Sequence, residues 1–257
     1  FGVWLSGAGW QLGLLALLLL GAIAMRGAGC VYNDITDAEL DRQVARTASR
    51  PIASGRVTKR TAWIWLAALS LVGLVVLLQL PLQAQVIALI SLVLVAAYPF
   101  MKRITWWPQA WLGLTFNWGV LVGWATLAGE NWGVAIAVYL GCVLWTVGYD
   151  TIYALQDRED DALVGIRSSA LRMGGKVKQG VTACYAGAVL LWGIGFWLLR
   201  EDWVAWLTLV PVAWHLGWQI VTLDESDGDN PLARFRSNRW AGFLLALACF
   251  VVGNAGV

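Results

Sequence analysis

Long apolar runs recur along this chain at about 11–29, 63–79, 84–98, 109–128, 132–149, 180–199, 203–222 and 240–257. A helix needs about 20 mostly apolar residues to cross the hydrocarbon core of a bilayer. Lipid offers no partner to an unpaired backbone N–H or C=O, so runs of this length are read as helices. The composition agrees, being 59% hydrophobic and 13% charged over 257 residues, more apolar surface than a soluble core of that size can hide. The expectation is an all-α, multi-spanning transmembrane bundle of eight helices with a cytoplasmic cap, forming one domain over 1–257. The chain opens on Phe1 and runs almost at once into a span. It is therefore expected to be truncated at its N-terminus, with an upstream helix missing.

Basic residues fall in alternate loops. Arg42, Arg46, Arg50, Arg56, Lys59 and Arg60 follow the first span, and Lys102 and Arg103 follow the third. Arg158, Arg167, Arg172, Lys176 and Lys178 follow the fifth, and Arg234, Arg236 and Arg239 the seventh. The opposite loops hold one basic residue, Arg200. The positive-inside rule puts the long charged loops in the cytoplasm, and a bacterial inner membrane is the preferred location. A net charge of +2 is no nucleic-acid-binding profile. Cys30, Cys142, Cys184 and Cys249 have no metal-ligand spacing and read as small packing residues. Most of the 18 Trp residues sit towards span ends, where interfacial anchoring explains them.

The acids are few and clustered. Nine of the sixteen lie in two segments, 33–41 and 150–161, each at the cytoplasmic end of a span. Asn33, Asp37 and Asp41 are spaced four apart, while Asp150, Tyr153, Asp157 and Asp161 run i, i+3, i+7, i+11. If the spans continue as helices past the membrane edge, each set occupies one helical face. Asp34 and Asp150, like Asp41 and Asp157, are 116 residues apart. That register suggests two pseudo-repeat halves, about 1–108 and 109–257, each contributing an acidic face.

Carboxylates in such density need counter-charge, since two like charges 4 Å apart repel by about 1 kcal/mol in water and about 4 kcal/mol at an effective dielectric near 20. Hard oxygen donors suit Mg²⁺, which takes one or two carboxylates and completes its shell with water and phosphate oxygens. The pattern points to a metal–diphosphate site, where Arg42, Arg46, Lys102 and Arg103 are candidate clamps on the same oxygens. A lone DxxxD at a membrane edge is more simply a solvated helix end, but two motifs in register on one side are not. His215, the only histidine, reads as a neutral side chain bonded between helices. Asn117 reads either that way or as a polar wall for substrate. Gly119 and Gly123 have GxxxG spacing and read as a close packing contact.

The segment NDITDAELDRQVARTASRPIASG resembles the first aspartate signature, NDxxDxxxD, of the UbiA superfamily of intramembrane prenyltransferases. YDTIYALQDREDDALVGIRSSALRMG resembles the second, DxxYxxxDxxxD, in the form typical of members that prenylate 4-hydroxybenzoate in ubiquinone synthesis. YPFMKRITWWPQAWLG, WHLGWQIVTLD and FRSNRWAG extend the resemblance over nearly the whole chain, in order. It implies nine transmembrane helices around a cavity, with the missing helix being the first. It also implies that Asn33, Asp37 and Asp41 hold one Mg²⁺ and that Asp157 and Asp161 hold another, with Asp37, Asp41, Asp157 and Asp161 as the catalytic acids. Asp34, Asp150 and Tyr153 then orient ligands or substrate, and Lys102 and Arg103 bind diphosphate. The implied reaction is Mg-dependent transfer of a polyprenyl group from its diphosphate to the ring carbon ortho to the hydroxyl of 4-hydroxybenzoate. The implied partners are the two substrates and the bilayer, with no nucleic acid and no obligatory protein partner. The alternatives are a superfamily member with another acceptor (homogentisate, a naphthoate, a chlorophyllide or haem) or a transporter of an anionic metabolite. Transporters tend to hold charge at the midplane, whereas these acids gather at one surface.

Overall fold

The structure, a computed structural model, describes residues 1–7, 9–44, 47–127, 130–158, 162–163 and 165–254. Every regular element among them is helical. They are α1 (Gly2–Leu5), α2 (Leu12–Asp41), α3 (Lys59–Leu77), α4 (Leu82–Ile104), α5 (Pro108–Phe116), α6 (Gly119–Leu127), α7 (Trp132–Ala154), α8 (Ser169–Met173), α9 (Val177–Leu199), α10 (Val204–Leu207), α11 (Val210–Thr222) and α12 (Asn230–Asn254). Six stretches are long and apolar enough to cross a membrane: α2, α3, α4, α7, the α8–α9 stretch and the α10–α11 stretch. The protein is a multi-pass membrane protein. Two compact units divide it, residues 10–99 and residues 1–9 with 100–257.

In the first unit, α2 and α3 pack along small residues. Gly21 lies against Val76, Gly27 against Leu69, and Gly73 against Met25. The remaining faces stay apolar and uncovered, as at Trp63, Ile64, Trp65, Leu71 and Val75, which suits a helix whose solvent is lipid. With 30 residues, α2 is about 45 Å long, well beyond a hydrocarbon core of about 30 Å. That leaves turns beyond what an upright span needs, and the last turns carry the first acidic motif. Residues 47–58 then fold back on α2. Ile52 packs on Ala38 and Ala62, with Val31, Ile35 and Val57 around them. Thr58 caps α3 by accepting a bond from the Thr61 N–H at 3.1 Å.

The second unit is built around α7. In its most apolar stretch 67% is buried, so α7 is the core helix of this unit. Its inward residues Val134, Val138, Cys142, Trp145 and Ile152 meet Val181, Tyr185, Ala188, Trp192 and Phe196 of α9, both sets at the three-, four- or seven-residue spacing of one helical face. The helices approach closely because Gly141 faces the Trp192 ring and Gly148 the Tyr185 ring, where a Cβ would collide. Gly148→Ala is expected to cost about 1–3 kcal/mol by overpacking, seen as a lower thermal midpoint in detergent. Gly29, with open space around it, is the control, and equal midpoints for the two Ala variants would contradict the tight interface. A buried polar network ties α11 and α12 to this pair. Tyr185 Oη donates to Gln219 Oε1 (2.8 Å), Gln219 Nε2 donates to Asn238 Oδ1 (3.2 Å), and Trp145 Nε1 donates to the same Oδ1 (2.8 Å).

Three departures from the sequence expectation bear on polar residues. The run 109–128 is two short helices parted at Asn117, whose Nδ2 donates to Gly113 O, Cys142 O and Thr146 Oγ1 (2.9, 3.2 and 2.8 Å). Its side chain thus bonds the end of α5 to α7. The last helix starts at Asn230, ten residues early, so Arg234, Arg236 and Arg239 are helical and not in a loop. The third difference falls in the second acidic motif, where α7 stops at Ala154.

Candidate functional site

The first motif lies wholly on α2, so Asn33, Asp37 and Asp41 share one face. Asp37 and Asp41 are 1% and 5% exposed, which makes this a carboxylate pair withdrawn from water. Asp34 and Asp41 are drawn to one cation, since Arg50 Nη1 donates to Asp34 Oδ1 at 3.2 Å and to Asp41 Oδ2 at 3.0 Å. Thr47 Oγ1 donates to the Asp41 carbonyl oxygen at 3.1 Å, fixing the turn that leaves the motif. Arg42 serves that same turn-rich segment, donating from Nε to Ala53 O (3.1 Å) and from Nη1 to Glu39 Oε2 (2.7 Å). It braces the backbone there. Arg46 lies outside the described residues.

The second motif begins on α7 with Asp150 and Tyr153. The helix does not continue through it. The Leu155 N–H bonds to Ile152 O and the Gln156 N–H to Tyr153 O, so the last turn tightens and Asp157 sits in the turn beyond. One unbroken helical face for Asp150 to Asp161 is therefore corrected, and Asp161 lies outside the described residues. Tyr153 packs on Phe235 of α12 with ring centroids 4.5 Å apart. A cavity of about 310 Å³ opens there, lined by Trp145, Tyr149, Phe235, Arg236, Asn238 and Arg239.

Lys102 and Arg103 occupy the last turn of α4. Arg167 ties their backbone to the segment that follows the second motif. Its N–H donates to Lys102 O at 3.0 Å, and its Nη1 donates to Ile104 O at 2.6 Å. Thr151 and Ser169 share a hydroxyl bond of 2.6 Å, and Ser169 N–H donates to Gln109 Oε1 at 3.1 Å, which anchors that segment on α7 and α5. Asn117 sits in its three-way bond, and His215 Nε2–H donates to Ser237 O at 3.1 Å, linking α11 to α12. Arg50 and Arg167 are what sequence reasoning missed. Both looked like ordinary members of the basic loops.

Among the described residues, no three acidic, histidine or cysteine side chains converge on a metal position. The first motif nevertheless fits Mg²⁺ by its donor set. It offers two carboxylates and one amide on a single face, within what Mg²⁺ takes from protein, and that face already holds a cationic group.

Residues 1–253 match the UbiA prenyltransferase family. The chain is 42% identical over 232 residues to the mitochondrial 4-hydroxybenzoate polyprenyltransferase of Arabidopsis thaliana, covering 90% of this chain and 57% of that protein. It is 42% identical over 245 residues to the mitochondrial enzyme of that name from Homo sapiens, covering 94% and 65%. The chain thus spans between half and two thirds of the length of these curated relatives. Its fold matches the apo structure of a UbiA homologue from Aeropyrum pernix K1 with a TM-score of 0.83, at 25% identity over 97% of this chain and 93% of that one. A UbiA homologue from Archaeoglobus fulgidus, solved bound to GPP and Mg²⁺, shares the fold at a TM-score of 0.66, with 17% identity over 99% and 95% of the two chains.

Proposed function

The chain belongs to the UbiA prenyltransferase family, and from that premise we propose that it transfers a polyprenyl group from polyprenyl diphosphate to 4-hydroxybenzoate. The new bond forms at the ring carbon ortho to the hydroxyl, the allylic C–O bond breaks, diphosphate leaves and the ring proton is lost. The observation that carries the reading is the water-poor pair Asp37 and Asp41 on the face of α2 that leaves the membrane, with a cationic group already on Asp41. The relatives' shared name supports the acceptor.

Asn33, Asp37 and Asp41 would hold one Mg²⁺, and Asp157 and Asp161 a second. Bound there, the ions would supply positive charge to the diphosphate oxygens as the C–O bond breaks. Asp34, Asp150 and Tyr153 orient the ligands, and Lys102 and Arg103 bind the diphosphate from the last turn of α4, which Arg167 holds in place. Arg42 braces the backbone of the segment that follows the first motif, and Asn117 braces the α5–α7 junction. Apolar span residues keep water from the allylic cation.

The basic, motif-bearing ends face the cytoplasm of a bacterial inner membrane in this reading. The curated relatives are named as mitochondrial, and fractionation of the native protein tests the compartment. Pyrophosphate release from a prenyl diphosphate, strictly dependent on 4-hydroxybenzoate, tests the reaction. Release with homogentisate alone would move the acceptor, and no release with any acceptor would overturn the reading.

A further inference from the structure

Arg50 differs from the other described arginines of the 42–58 segment, Arg42 and Arg56. Arg42 donates to the Ala53 carbonyl and to the exposed Glu39, and Arg56 donates to the Ser49 carbonyl. Arg50 instead places one nitrogen between two carboxylates of the motif, 3.2 Å from Asp34 and 3.0 Å from Asp41. Its backbone is held for this, since the Arg50 N–H donates to Thr47 O at 2.9 Å and Ser54 Oγ donates to Arg50 O at 2.7 Å. Two residues on, Ile52 is buried against Ala38. The Asp41 side chain is 8% exposed, so its charge has little water to lean on and Arg50 provides the compensation.

Asp41 is also one of the three residues that the proposed function assigns to Mg²⁺, and the present inference rests on that reading. Mg²⁺ binds oxygen at about 2.0–2.1 Å and with twice the charge. A guanidinium and such an ion compete for this carboxylate. We propose that Arg50 is a displaceable counter-ion of the first motif. It neutralises Asp34 and Asp41 while no divalent ion is bound, yields Asp41 when one arrives, and turns its freed N–H donors to the diphosphate oxygens. A planar fork of donors suits phosphate in that second role.

Competition has a sign that a purely structural Arg50 does not. Binding of Mn²⁺ to the full chain in detergent, with no diphosphate present, is measured for the wild type, Arg50→Gln and Arg50→Lys. Removing the competitor in Arg50→Gln tightens Mn²⁺ binding by about five-fold or more, the scale of an ordinary coupling between sites. Arg50→Lys, with a single ammonium in place of the fork, falls between. The same Arg50→Gln protein binds a non-hydrolysable prenyl thiodiphosphate more weakly. Unchanged or weaker Mn²⁺ binding by folded Arg50→Gln overturns the proposal. Should that variant fail to fold, the wild type decides: phenylglyoxal modification of Arg50, read by mass spectrometry, rises on adding Mn²⁺ and falls again on adding the thiodiphosphate. Modification that Mn²⁺ leaves unchanged or suppresses overturns it. A wild type that binds no Mn²⁺ defeats the metal reading, and this inference with it.

Discussion

Asp37→Asn leaves the protein inserted and folded and lowers prenyl transfer by about a thousand-fold, the upper scale for removing one electrostatic partner of a transition state. The substitution changes one oxygen for an amide nitrogen and keeps the volume. Asp37 is 1% exposed on α2, between Asp34 and Asp41 in the same motif. Because the buried side chain keeps its shape and its ability to hydrogen-bond, the thermal midpoint moves far less than the activity. Stability and activity therefore move apart, which damage to the fold would not produce. Turnover close to wild type, measured in membranes or detergent, would remove Asp37 from the metal site.

Chelation is the second large effect. Protein stripped with EDTA loses transfer to background and regains it on adding Mg²⁺. The loss is reversible because the carboxylates do not stand bare without the ion: Arg50 keeps its bonds to Asp34 and Asp41. A thermal midpoint that barely moves on stripping, beside an activity that disappears, is the expected pair of results. Transfer that survives thorough chelation contradicts a metal-dependent mechanism.

The spans were legible because lipid leaves helices as the only answer to a 20-residue apolar run. The first motif was legible for a related reason. No Gly or Pro interrupts residues 30–41, so the apolar helix carries its spacing straight into the polar region. The second motif misled at its far end. Its helix stops at Ala154 through tightened backbone bonds at Leu155 and Gln156, a local competition that periodicity does not record. The break at Asn117 did leave a signal, an amide followed by Gly119 inside an apolar run, but only the partners on α7 turn that amide into a junction. Asn238 was hidden differently. The stretch FRSNR is polar enough to read as loop, yet Asn238 faces inward and accepts from Trp145 and Gln219. Basic residues were the least legible. The positive-inside rule places Arg42, Arg50 and Arg167 on one side for one shared reason, and only the folded loops show that Arg50 is the one that pairs with Asp34 and Asp41.

The measurement that bears most directly on prenyl transfer is the mass of the product. Full-length protein, Mg²⁺, 4-hydroxybenzoate and a panel of prenyl diphosphates are incubated together, and the organic extract is analysed. The expected product has the mass of the acceptor plus one prenyl group less one hydrogen, with phenol and carboxylate both still titratable, as a new carbon–carbon bond requires. An unmodified acceptor across the whole panel, or a prenyl group attached through oxygen, would contradict it.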